Sequence, residues 1–96
     1  MSRYNEYTLK QVIEELLNAY RLKGKINESR LIQSWEKVCG ALISRHTENL
    51  YISNRKLYVK VDSAALRNEL SYAKTKLLLS LNKSVGEDII DEIVLM

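Results

Sequence analysis

The single tryptophan, Trp35, lies in the stretch Leu31–Ile43, where Leu31, Trp35, Val38 and Leu42 recur at three- and four-residue steps. At 100° per residue these four share one narrow stripe, flanked on one side by Ile32, Cys39, Ile43 and His46. A helix with so wide an apolar face has to be covered, so the other elements are expected to pack on it. The helix is placed at about residues 28–46, with Asn27 or Ser29 as its N-cap. Gly40 falls inside it at a cost of ~1 kcal/mol relative to alanine, and close helix packing is the expected reason. Trp35 reads as a core anchor rather than a recognition residue.

Upstream, Thr8 is a good N-cap, and Leu9, Val12, Ile13, Leu16, Leu17 and Tyr20 follow at helical spacing. The spacing predicts a first helix over about residues 8–23, stopped at Gly24, with Arg21, Lys23 and Lys25 at its C-terminal end where cations favour the helix dipole. Residues 1–7 form a polar start expected to be flexible. Downstream the period changes from 3.6 to 2. Leu50–Ser53 and Leu57–Asp62 alternate around the polar turn Asn54-Arg55-Lys56, which predicts a β-hairpin. Leu50, Ile52, Leu57, Val59 and Val61 are expected to face the core, with Tyr51, Tyr58 and Lys60 facing outward.

Asp62 or Ser63 caps a third helix over about residues 64–83, with Leu66, Leu70, Ala73, Leu77 and Leu81 inside. Val85-Gly86 ends it, and Ile89–Leu95 reads as a last strand. The order is α-α-β-β-α-β, an α+β fold. The strand–helix–strand return predicts a right-handed crossover, so the last strand completes a three-stranded mixed sheet packed against helices on one face. With 96 residues, no proline and three glycines, the chain is one domain without linkers or repeats.

The 15 Lys and Arg outnumber the 12 Asp and Glu by three, but the distribution is uneven. Glu87, Asp88, Asp91 and Glu92 all lie in residues 87–96, which hold no base, so residues 1–86 carry +7 from 15 basic and 8 acidic side chains. A basic body suits an anionic partner, though charges scattered on a solvated surface give the same balance. One cysteine excludes an internal disulfide, and no run approaches the roughly 18 apolar residues that span a bilayer, so a cytoplasmic protein with no membrane partner is expected.

Cys39 and His46 share a helical face, but seven residues separate them by about 10.5 Å along the axis, too far for a thiol–imidazole pair. Zinc needs more Cys or His ligands than the chain owns, and the acids of 87–92 lack calcium-loop spacing. No glycine-rich phosphate loop, nucleophile elbow or carboxylate pair is present. The expectation is a non-enzyme with no catalytic site, metal or cofactor.

Two surfaces stand out. Arg21, Lys23, Lys25, Arg55, Lys56 and Lys60 combine a helix end with the hairpin, where Tyr51 and Tyr58 stand on the outer face. Cations beside aromatic platforms suit DNA, single- or double-stranded, with the tyrosines stacking on exposed bases; an ordinary half-exposed sheet face has the same composition. On the third helix, Tyr72, Lys76 and Leu79, with Leu78 nearby, lie off the inner stripe and suit a protein partner or a second copy of the chain.

The ordered set resembles a bacterial family related to DciA, the protein that assists loading of the replicative DNA helicase. The residues that carry the resemblance are Leu16-Leu17, then Trp35-Glu36-Lys37-Val38-Cys39-Gly40, His46-Thr47 ahead of the hairpin, Leu57-Tyr58-Val59-Lys60-Val61-Asp62-Ser63-Ala64, the run Leu66-Arg67-Asn68-Glu69-Leu70, and Ile93 in the last strand. It spans nearly all of residues 8–96. It implies a KH-like domain, DNA binding and association with the replicative helicase. The chain lacks the Gly-x-x-Gly loop of true KH domains, and Leu66 stands where many relatives have tryptophan. It stops at the last strand, where longer relatives continue into a tail implicated in helicase contact. The short form is therefore expected to bind DNA without loading a helicase, or to dock through the folded domain itself.

Overall fold

The structure, a computed structural model, describes residues 8–96; the expected flexible start at 1–7 lies outside the described residues. Thr8 opens the first helix through a reciprocal capping box. Its hydroxyl accepts the Gln11 amide at 3.1 Å, and the Gln11 side chain accepts the Thr8 amide at 2.8 Å. The helix, α1, runs over Leu9–Gln33, so it does not stop at Gly24. Beyond that glycine Asn27 and Leu31 are buried on the body, and this packing offsets the modest helical penalty of one glycine.

The apolar face of the first half of α1 does not pack on the body, contrary to expectation. Leu9 is 76% exposed and Tyr20 74%, and Val12, Ile13, Leu16 and Leu17 are all exposed. Twenty-five residues at 1.5 Å make a rod of about 38 Å. The rod projects beyond the body, which gives the molecule extents of 65 × 21 × 20 Å.

The central helix expected over 28–46 is three pieces. Its first part belongs to α1. At Ser34 the backbone amide bonds the Arg30 and Leu31 carbonyls, both at 3.1 Å, and the chain restarts as α2 (Trp35–Cys39). Gly40 then separates α2 from α3 (Ala41–Arg45). Its φ of +93° and ψ of 163° lie in a region open essentially to glycine alone, and a Cβ there would meet nothing within 4 Å. Gly40 is therefore present for its backbone angle, not for close helix packing.

The hairpin is β1 (Thr47–Ser53) and β2 (Lys56–Val61), joined by Asn54 and Arg55 at φ of 50° and 62°. Positive φ at both loop residues matches the right-handed twist of the strands. Ser63 caps α4 (Ala64–Ser71), accepting the Leu66 amide at 3.3 Å. The third helix divides at Tyr72–Ala73, where both amides bond carbonyls three residues back, and resumes as α5 (Lys74–Val85). Gly86, at φ +88°, terminates α5 as expected. The last strand, β3, spans only Glu92–Leu95, and Ile89 and Ile90 precede it.

The sheet order is β1-β2-β3, antiparallel between β1 and β2 and parallel between β2 and β3, so it is mixed as predicted. Leu57, Val59, Val61 and Ile93 are buried with Leu31, Trp35, Leu70, Leu81 and Ile90. Leu50, Ile52 and Leu95 are partly buried against them. The opposite sheet face carries Tyr51, Tyr58, Lys60 and Val94 by register.

Two glycine substitutions should separate by sign in urea unfolding. Gly40→Ala forces a side chain into a glycine-only region and should cost about 1–3 kcal/mol. Gly24→Ala, in open space within a helix, should be neutral or stabilise by up to ~1 kcal/mol.

Candidate functional site

Register and strand order bring Tyr51 and Tyr58 together. They are direct cross-strand partners, and their rings stack at 4.8 Å between centroids with planes 8° apart. Each ring therefore gives one face to the other. Tyr58 sits on the central strand and has Val94 in register on its far side, whereas β1 is an edge strand. The outer face of Tyr51 thus looks off the sheet edge. Tyr51 is 39% exposed.

Lys56 and Lys60 stand two residues either side of Tyr58 and so project from the same face. Lys56 Nζ is 3.9 Å from Glu92 Oε1, and Lys60 Nζ is 3.7 Å from Glu48 Oε2. All four side chains are substantially exposed. Pairs of this kind contribute only ~0–1 kcal/mol and exchange readily for another anion.

The acidic segment folds back on the basic residues. Glu87 pairs with Lys23 at 3.0 Å and accepts from the Asn27 amide group at 3.0 Å. Asp91 pairs with Arg55 at 3.4 Å, and Glu92 with Lys56. Asn82 holds this segment. It is buried, donates to the Ile90 carbonyl at 2.8 Å, and accepts the Ile89 and Ile90 amides at 2.9 and 3.1 Å. Nothing in its local pattern marked Asn82 out, because a polar residue late in a helix is usually solvated.

The expected basic set does not form one patch. Arg21 and Lys25 lie about 200° around α1 from Lys23 at 100° per residue. Lys23 faces the body at Glu87, while Arg21 has Asn18 as a neighbour at 3.4 Å. Segment 87–92 stands between Lys23 and the hairpin turn that carries Arg55. The sheet face therefore unites Tyr51, Tyr58, Lys56 and Lys60, with Arg55 at its end.

Of the proposed partner surface, Tyr72 caps α4 and is 84% exposed, while Lys76 and Leu79 are exposed on α5. They belong to two helices rather than one. Leu78 packs against the core and leaves the strip.

Cys39 and His46 have structural surroundings. His46 Nδ1 and Asp62 Oδ1 are 2.8 Å apart, and the His46 carbonyl accepts the Asp62 amide at 3.0 Å, tying the end of α3 to the end of β2. Burial, with the Glu36 carboxylate adding to it, pushes the Cys39 thiol up to about 11. Among the described residues no three His, Cys, Asp or Glu are grouped to hold a metal, and no helix is long and apolar enough to cross a membrane.

The family described as Dna[CI] antecedent, DciA matches residues 8–95, which covers every described element. The chain belongs to the DciA family. The family is related to DNA replication in general. A UPF0232 protein of Corynebacterium glutamicum (strain R) is 33% identical over 60 residues, 62% of this chain and 34% of the relative. The matched part thus spans about a third of that relative.

At pH 8 Cys39 should hold about 100-fold less thiolate than an unperturbed thiol. Its alkylation by iodoacetamide should be slower by a similar factor in the folded chain and recover in urea.

Proposed function

We propose that this DciA-family chain is a non-enzymatic nucleic-acid-binding module serving DNA replication in association with helicase loading. The observation that carries this reading is the parallel Tyr51–Tyr58 pair on an open sheet face between Lys56 and Lys60. A base stacks on the free face of Tyr51, a contact of roughly 1–3 kcal/mol. Lys56 and Lys60 neutralise flanking phosphates, which displace Glu92 and Glu48 and release counterions. Tyr58 acts through Tyr51, holding its ring upright, rather than by stacking on a base of its own. Bases must be unstacked to reach the platform, so single-stranded DNA is the preferred ligand.

Arg55 extends this surface at the hairpin turn. Arg21 and Lys25 on α1 add positive charge away from the platform and supply long-range attraction rather than stacking geometry. Family membership supports the association with the helicase, and Tyr72, Lys76 and Leu79 offer an exposed surface for a protein partner.

Fluorescence anisotropy of labelled single- and double-stranded DNA at low and near-physiological salt tests this. Micromolar binding that falls steeply with salt is expected. Tyr51→Ala should weaken it roughly 5- to 150-fold, the equivalent of one stacked base. Lys56→Gln with Lys60→Gln should weaken it and lower the salt slope by about 2. Absence of binding at low salt, or unchanged affinity in both variants, removes the sheet face as the site.

A further inference from the structure

The same stripe of α1 has two fates along its length. At its C-terminal end Asn27 and Leu31 point into the body and are buried. Measured at 100° per residue, Leu9, Ile13, Leu16 and Tyr20 lie within about 60° of those two residues, yet all four are exposed. Val12 and Leu17 widen the stripe on either side. Gln11, Asn18 and Lys25 occupy the opposite side, so the rod is amphipathic where no other described residue covers it. The capping box at Thr8 shows that the helix begins here by its own local chemistry, and isolated helical turns gain little stability without tertiary packing.

The geometry points to a second copy of this chain as the occupant: two α1 rods pair antiparallel through the stripe Leu9–Tyr20. Three observations select that occupant and that direction. The first is area. The six apolar side chains expose roughly 600 Å² per copy, so self-pairing buries at most about 1,200 Å² in total, the low end of stable interfaces. The second is self-complementarity. Leu9, Ile13, Leu16 and Tyr20 alternate at steps of four, three and four, the seam of paired helices. When Leu9 lies opposite Tyr20, Ile13 meets Leu16, Val12 meets Leu17 and Lys10 meets Ala19; the like-charge pairing of this register, Glu14 with Glu15, lies about 130° from the stripe and so away from the seam. The third is steric. The body lies on the stripe side of α1, because the stripe's own continuation enters it. Paired axes sit about 8–10 Å apart, so parallel rods would drive one body into the other. Antiparallel rods place the two bodies at opposite ends.

This inference goes beyond the nucleic-acid reading, and the two fail separately, since the rod and the sheet face share no residue. Sedimentation velocity of the full chain from about 1 to 200 µM is the test, a range suited to an interface of minimal area. A monomer–dimer equilibrium is expected within that range. Ile13→Glu with Leu16→Glu should shift it by at least 10-fold toward monomer while the thermal unfolding of the body is unchanged, because both side chains are exposed in the single chain. In a Cys39→Ser background, Leu9→Cys and Tyr20→Cys variants should cross-link with each other when mixed and poorly with themselves; this readout also holds if the glutamate variant folds badly. A chain that stays monomeric throughout, a dimer indifferent to the glutamates, or preferential self-cross-linking of each cysteine variant overturns the proposal.

Discussion

Trp35 stands where the helices of the body meet the sheet. It is 3% exposed, and it joins the helical layer to the sheet in two ways at once. Its ring belongs to the core cluster with Leu57, Val59 and Val61 of the central strand. Its Nε1 donates to the Thr47 hydroxyl at 3.1 Å, and that hydroxyl donates to the Ile43 carbonyl at 2.7 Å. One partly buried polar relay thus ties the end of α3 to the start of β1. The ring's bulk and its satisfied N–H are both needed, since an unpaired indole N–H in the core would cost about as much as a lost hydrogen bond.

From that anchor the position of the sheet face follows. With Leu57, Val59 and Val61 committed to the core, period-two alternation puts Lys56, Tyr58 and Lys60 on the other side. The antiparallel register then sets Tyr51 against Tyr58. The acidic segment is the counterpart. Asn82 holds the turn after α5 so that Glu87 reaches Lys23, Asp91 reaches Arg55 and Glu92 reaches Lys56. The basic body and acidic end seen in the composition are one mosaic surface in space. An anion binding there would exchange weak exposed pairs rather than meet an uncompensated positive field.

Elements governed by a clear period were legible in the sequence: the hairpin, its inward and outward faces, the capped start of α1, and the stop at Gly86. The misread positions are those where one residue type has two physical uses. Gly24 and Gly40 look alike in a string, yet one continues a helix and the other breaks it, and only the backbone angle separates them. Leu9 to Tyr20 have the pattern of a packed face, and periodicity cannot reveal that the body ends before reaching them. The grouping of Arg21, Lys23 and Lys25 failed because adjacent odd positions on a helix point to opposite sides. The tyrosine platform was legible because strand alternation and a short turn nearly determine cross-strand partners. The contribution of Asn82 was not, since its three bonds go to backbone seven and eight residues on.

In the function proposed here, the open face of the sheet, rather than the basic helix end, meets nucleic acid. Titrating the isotopically labelled chain with a short single-stranded oligonucleotide, followed by two-dimensional amide NMR, tests it most directly. Shifts are expected to concentrate at Tyr51, Lys56, Tyr58 and Lys60, with α1 residues Arg21 and Lys25 moving little. Shifts confined to α1, with the hairpin unmoved, would contradict it.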